Sequence, residues 1–267
     1  MTCPERPADP RAHVLCWRES GVAHLRFNRP EALNAIDERM AKEFLGACQT
    51  IAADEEVRVV WMSGEGRAFM AGGDVAAMHA DPQGASALLI EGMHGGMRVL
   101  DSLATPIIAS VHGAVAGGGM GVMLQADLVL AAAGTRFTMA YPLIGASCDC
   151  STSWGLPRIL GLRQAMEFAL LSEAMAVEEA LRLGLINRVI AADELHAEAA
   201  RWAKRLADGP TEALRQIKRL LRASMGNDLD RQLDAEAQAF ARCAATQDFV
   251  QGVEAFLGKK RPAFMGR

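Results

Sequence analysis

The 267-residue chain lacks any uninterrupted apolar run approaching the roughly 20 residues of a membrane helix. Its opening, MTCPERPADPR, is charged and proline-rich where a secretory leader would be apolar. A cytoplasmic protein with no membrane partner is the expectation. Neither sign of charge dominates: the formal net charge of −4 gives no global pull toward nucleic acid or anionic lipid, so nucleic acid is not expected as a partner either. Cysteine is sparse, with six residues (Cys3, Cys16, Cys48, Cys148, Cys150, Cys243) scattered over a chain whose composition supports an ordinary core without disulfides. Cys148-x-Cys150 has no second cysteine or histidine pair at zinc spacing, so no metal site is expected. The Gly-Lys-Ser/Thr of a phosphate loop is missing. The triple glycine at 117–119 comes too late in the chain, and without a following acid, to be a dinucleotide fingerprint. No repeat of fixed length is evident.

What is present is an alternation of short strands and helices. Ala23, Leu25 and Phe27 alternate with His24 and Arg26, the two-residue period of a half-buried strand. HVLCWRESGVAHLRF reads as two strands around a turn, ERMAKEFLGACQTIAAD as a helix, VRVVWMSG and IIASVHG as buried strands, and the stretch from about Ala85 to Ser102 as a helix. Beyond about residue 192 only helical patterns remain: Leu195, Ala199, Trp202 and Leu206 share one face of a helix that ends at Gly-Pro. The expected class is α/β, with a disordered tail over 1–11, a core over 12–200 and a helical C-terminal region over 201–267.

Two glycine-rich loops, FMAGGD and HGAVAGGGMG, each follow a strand. Adjacent glycines cost conformational entropy and are used where backbone bends sharply or touches something. A helix that starts there offers N–H groups and a positive dipole end to negative charge. Together the loops suggest two backbone donors converging on one oxygen, the arrangement that holds a thioester carbonyl as it becomes an enolate.

NRPEALNAID, GEGRAFMAGGDVAAM, TPIIASVHGAVAGGGMGVMLQADLVLAA, LPRILG, EEALRLGLINRVI and the KKRPAFMGR ending, in that order, resemble the enoyl-CoA hydratase/isomerase (crotonase) superfamily. The resemblance implies a spiral of ββα units, a helical C-terminal part that packs in trimers or paired trimers, and acyl-CoA thioester substrates. CoA then enters as part of the substrate, with no other cofactor. It carries the two oxyanion donors onto the N–H groups of Gly73 and Gly118. It also implies that Ala32, Ala71, Asp74 and Val75 line the CoA channel, mostly through backbone.

The chain departs from the hydratase pattern. Hydration needs two carboxylates, because water loses one proton as the α-carbon gains another. The family's first stands three residues after the oxyanion glycine, here Gly121; the second corresponds to Tyr141, the only tyrosine in the chain. What remains is Asp149, the one charge in GASCDCSTSWG. Ile144-Gly145, Asp149 and Ser153-Trp154 resemble the aspartate motif of the isomerase branch, with Cys148 and Ser151 where proline and glycine are usual. Asp149 as a proton carrier stands beside two alternatives: a cap for the helix that follows, and a nucleophile, as in the haloaroyl-CoA dehalogenase branch. In that branch a histidine lies where His94 lies and an aromatic where Tyr141 stands; both are expected to border the acyl pocket, with structural roles as the alternative. Cys148 and Cys150 have no evident base to make them nucleophiles. Lys259, Lys260 and Arg261 stand between a CoA-phosphate contact and a solvated helix end. The reading is a double-bond isomerase in which Gly73 and Gly118 hold the enolate and Asp149 moves the proton; the alternatives are a hydratase in name only, an acyl-CoA hydrolase or dehalogenase with Asp149 as nucleophile, and a non-catalytic acyl-CoA-binding protein.

Overall fold

The structure, a computed structural model, describes residues 2–266. Strands β1 (Val14–Glu19) and β2 (Val22–Phe27) form an antiparallel hairpin. Its tip, Ser20–Gly21, has positive φ at both residues, as the right-handed twist of such a pair requires. The inward set of β2 (Ala23, Leu25, Phe27) is completely buried, so the period-two pattern reports the core face correctly. From β2 the pairing is parallel throughout, through β3 (Val59–Gly64), β4 (Ile107–Val111), β6 (Leu128–Ala132) and β9 (Arg188–Ile190), which makes a six-stranded sheet.

A smaller sheet joins β5 (Ala114–Ala116), β7 (Arg136–Thr138) and β8 (Met175–Ala176). The chain gives β4 to the large sheet and β5 to the small one, then β6 and β7 in the same way. A parallel bridge from Met70 to Val115 adds the preceding turn to the small sheet. Each circuit is closed by helix: α2 (Val75–Ala80) and α3 (Gly84–Ser102), then α4 (Gly118–Leu124), then α5 (Thr152–Leu160), α6 (Leu162–Leu171) and α7 (Val177–Arg182). This is the expected spiral. One face of the large sheet packs on α1 (Glu38–Ala53) and α3 through a core that includes Phe27, Phe44 and Met62.

Two expected boundaries need correction. The division at 200/201 cuts through α8 (Leu195–Ala207), which belongs with the core: Leu195, Ala199, Ala203 and Ala207 cover the second face of the sheet against Trp61, Ile108 and Leu130. The helical pattern of α8 was legible, but its apolar stripe does not say which surface it covers. The peripheral helices begin with α9 (Thr211–Ala223), followed by α10 (Leu229–Ala244) and α11 (Gln247–Leu257). Buried Lys218 ties α9 down, its Nζ lying 2.8 Å from both the Thr105 carbonyl and Asp127 Oδ2. The segment expected as a disordered tail over 1–11 is instead anchored near its start. Cys3 is buried and its amide donates to Asp54 Oδ2 at 2.9 Å, while the Pro4 carbonyl accepts from Arg18 at 2.8 Å. A small apolar side chain within a polar stretch suffices for that anchor. Among the described residues no helix is long and apolar enough to cross a membrane.

Candidate active site

The Met70–Val115 bridge explains how two glycines distant in sequence meet. The pairing is parallel, and three residues on from its two members stand Gly73 and Gly118. The loops carrying them touch: a Cβ on Gly72 (φ 100°) would lie 3.6 Å from the Gly117 Cα, and one on Gly117 (φ 49°) would lie 3.6 Å from the Gly72 Cα. A Cβ at those distances would be in ordinary contact, so it is the left-handed backbone at both positions that favours glycine. Around Gly73, the Gly72 carbonyl accepts from Ile36 at 2.7 Å and the Asp74 amide donates to the Ile36 carbonyl at 2.9 Å. Gly118 opens α4, so its N–H lies outside the helical ladder. Among the described residues no hydrogen bond consumes the amide of either Gly73 or Gly118. Two donors without a backbone partner thus stand at matching positions of successive circuits.

Gly73, Gly118, Ala71, Val75, His94, Tyr141 and Asp149, all expected at the site, line one cavity of about 380 Å³. Two expected residues are not on its wall. Ala32 closes a short 3-10 turn behind it, next to Leu33, whose carbonyl accepts the Ala71 amide at 3.0 Å. The Asp74 carboxylate caps α2 through Ala76 and Ala77 and pairs with Arg29 at 2.7 Å. The bond from Arg29 holds its pKa below the usual carboxylate range.

Asp149 does not cap the helix after it. Helix α5 begins at Thr152 with Ser151 in the capping place, and among the described residues no side-chain cap bond is made to it. The Tyr141 hydroxyl donates to Asp149 Oδ1 at 2.5 Å and lies 3.0 Å from Thr152 Oγ1, while the Thr152 hydroxyl bonds the Asp149 carbonyl. Burial, then the charge of Asp149, push the Tyr141 pKa far up, so the phenol stays protonated and acts as a donor. A methyl placed on Gly118 would stand 3.9 Å from Asp149 Oδ1, which sets the carboxylate beside one of the two unspent amides. Among the described residues Asp149 is the one Asp or Glu on the cavity wall. Burial, then Asp149, also raise the pKa of Cys148 and Cys150, so both remain thiols and neither is an activated nucleophile.

His94 accepts: the Cys150 amide donates to its Nε2 at 3.1 Å. That lone pair is already used, so Nε2 is not available as a base. At Gly121, a Cβ would fall 1.9 Å from the Cys150 carbonyl oxygen, so the backbone of the Asp149 loop fills the space that a hydratase-type glutamate would need. Thr152 and Ile36, which complete these arrangements, went unread in the sequence. Thr152 had a signal, since it follows Asp149 within the motif. Ile36 works through its backbone, for which the sequence carries none. Among the described residues no three His, Cys, Asp or Glu side chains are grouped to hold a metal ion.

Residues 17–267 match the family described as enoyl-CoA hydratase/isomerase. The 1,2-epoxyphenylacetyl-CoA isomerase of Escherichia coli (strain K12) is 34% identical over 258 residues, which cover 95% of this chain and 98% of that protein. The crotonyl-CoA hydratase of Syntrophomonas wolfei subsp. wolfei is 30% identical over 262 residues, 96% of this chain and 98% of its own. Among solved structures, an enoyl-CoA hydratase from Polaromonas sp. JS666 superposes with a TM-score of 0.88 at 32% identity, covering 94% of this chain and 99% of that one.

Proposed function

Since the chain belongs to the enoyl-CoA hydratase/isomerase family, we propose that it isomerises the acyl group of a CoA thioester, with Asp149 as a single proton carrier. Asp149 takes a proton from one carbon of the acyl group, and the electron pair passes onto the thioester oxygen as a dienolate. The amides of Gly73 and Gly118 hold that oxygen, each worth about 3 kcal/mol in a site that excludes water. Asp149 then returns the proton two carbons along. The double bond has moved and no oxidation has occurred, so the step requires no cofactor beyond the CoA of the substrate.

The observation that carries this reading is the single carboxylate beside the donor pair, combined with the sealed space at Gly121. Tyr141 stands at the second glutamate position of a hydratase and spends its proton on Asp149. Displacement at an aromatic acyl group, with Asp149 as nucleophile, is the second reading. It needs a base for the attacking water, and the engaged Nε2 of His94 weighs against it.

A panel of three thioesters tests the proposal. A 3-enoyl-CoA is expected to turn over to the conjugated 2-enoyl-CoA, followed by the rise in thioester-enone absorbance. Crotonyl-CoA hydration should stay at background, and 4-chlorobenzoyl-CoA should release no chloride. Robust hydration or chloride release in place of isomerisation would sink the reading.

A homotrimer or dimer of trimers belongs to the same proposal. The outer helices expose large apolar side chains, including Leu221 (68%), Phe240 (67%), Phe256 (83%) and Leu257 (76%). Such a surface is costly to leave in water. Light scattering at micromolar concentration is expected to give three or six times the 28.6 kDa chain mass, and a monomer would contradict it. The six cysteines are all unpaired, which fits a reducing cytoplasm.

A further inference from the structure

Cys150 (φ 49°) and Ser151 (φ 61°), the two residues after Asp149, both hold left-handed backbone, a conformation that L side chains rarely take. Side chains from other elements hold both: the Cys150 amide donates to His94 Nε2, and Ser151 Oγ accepts from Gln125 Nε2 at 2.8 Å and donates to Met97 Sδ at 3.5 Å. Behind the loop lies a second cavity of about 250 Å³, bordered by His94, Met97, Gln125, Ser151 and Trp154. With open space on that side, the strongest hold on the Ser151 side chain is the bond from Gln125, the Met97 sulfur being a weak acceptor. Gln125 is buried at the end of α4 (4% exposed), and among the described residues its Oε1 finds no partner, a costly arrangement that an apolar side chain would avoid.

The structure assigns to Gln125, with His94, the role of a positioning residue: together they brace the strained turn that aims the Asp149 carboxylate at the oxyanion pair. This rests on Asp149 being the proton carrier. The brace costs stability at Gln125 Oε1 and in the backbone at 150–151, which a residue serving the fold alone would not do.

The test is Gln125→Met, which removes both ends of the amide and keeps an unbranched side chain. On the 3-enoyl-CoA, kcat is expected to fall about ten- to hundredfold, as for a misplaced catalytic group. KM should change by no more than about twofold. The melting temperature should hold or rise, because the unpaired acceptor is gone. Adding Ser151→Gly should recover most of the lost kcat, since glycine adopts this φ unaided. Unchanged kcat in Gln125→Met overturns the inference. So does a joint fall of kcat and melting temperature that Ser151→Gly does not repair. A readout free of turnover separates this from the catalytic reading: hydrogen exchange at the Cys150 amide should quicken in Gln125→Met, and also in that variant carrying Asp149→Asn. If Asp149→Asn alone keeps its rate, the catalytic reading fails, and unaltered exchange would then refute the brace on its own.

Discussion

Asp149→Asn is expected to reduce turnover of the 3-enoyl-CoA by about 10²–10⁴-fold, the contribution of a general acid–base group. Binding should survive. The amide has nearly the shape of the carboxylate, and its oxygen still accepts from the Tyr141 hydroxyl that now bonds Oδ1. The proposed oxyanion donors, the amides of Gly73 and Gly118, belong to the backbone and are untouched. The loss therefore belongs in kcat, with the thioester Kd from calorimetry within about threefold of the parent. The amide cannot take a proton from carbon at neutral pH, and among the described residues no other carboxylate lines the cavity to replace it. A variant that keeps the parental rate would reduce Asp149 to a hydrogen-bond partner of Tyr141 and remove the basis for an isomerase.

Gly121→Glu, the obvious attempt to install a hydratase acid, is expected to damage the protein without creating the activity. The Cβ alone would meet the Cys150 carbonyl oxygen at 1.9 Å and the Cys150 Cβ at 2.7 Å. Cys150 is itself buried and bonded to His94, so the backbone that would have to move is the part that positions Asp149. Overpacking against backbone should cost about 3 kcal/mol of stability or more. Thermal unfolding is expected to show a large drop, with crotonyl-CoA hydration still at background. A variant with the parental melting temperature and brisk hydration would mean that the Asp149 loop does not occupy that space. The contrast with the hydratase pattern is then steric as well as chemical, because this loop and a glutamate at 121 exclude one another.

Much of this protein was determined by its sequence alone. The alternation in β2, the apolar runs of β3 and β4, and the amphipathic stripe of α8 are local patterns, and burial and backbone preference act over a few residues. The ordered motifs identified the family, and the lone charge in GASCDCSTSWG marked Asp149. Tertiary structure decided what those residues do. Whether Asp149 caps a helix or faces a cavity depends on where α5 begins, and a left-handed turn at 150–151 moves that start past it. Gly73 and Gly118 become a pair only through the parallel register of Met70 with Val115. His94 acts as an acceptor because α3 brings it to a residue 56 positions away. Nothing in VMLQAD shows that the amide of Gln125 reaches Ser151. Composition and periodicity carry short-range preferences, whereas the direction of a hydrogen bond between distant segments is set by strand register and helix packing, which exist only once the chain has closed its spiral.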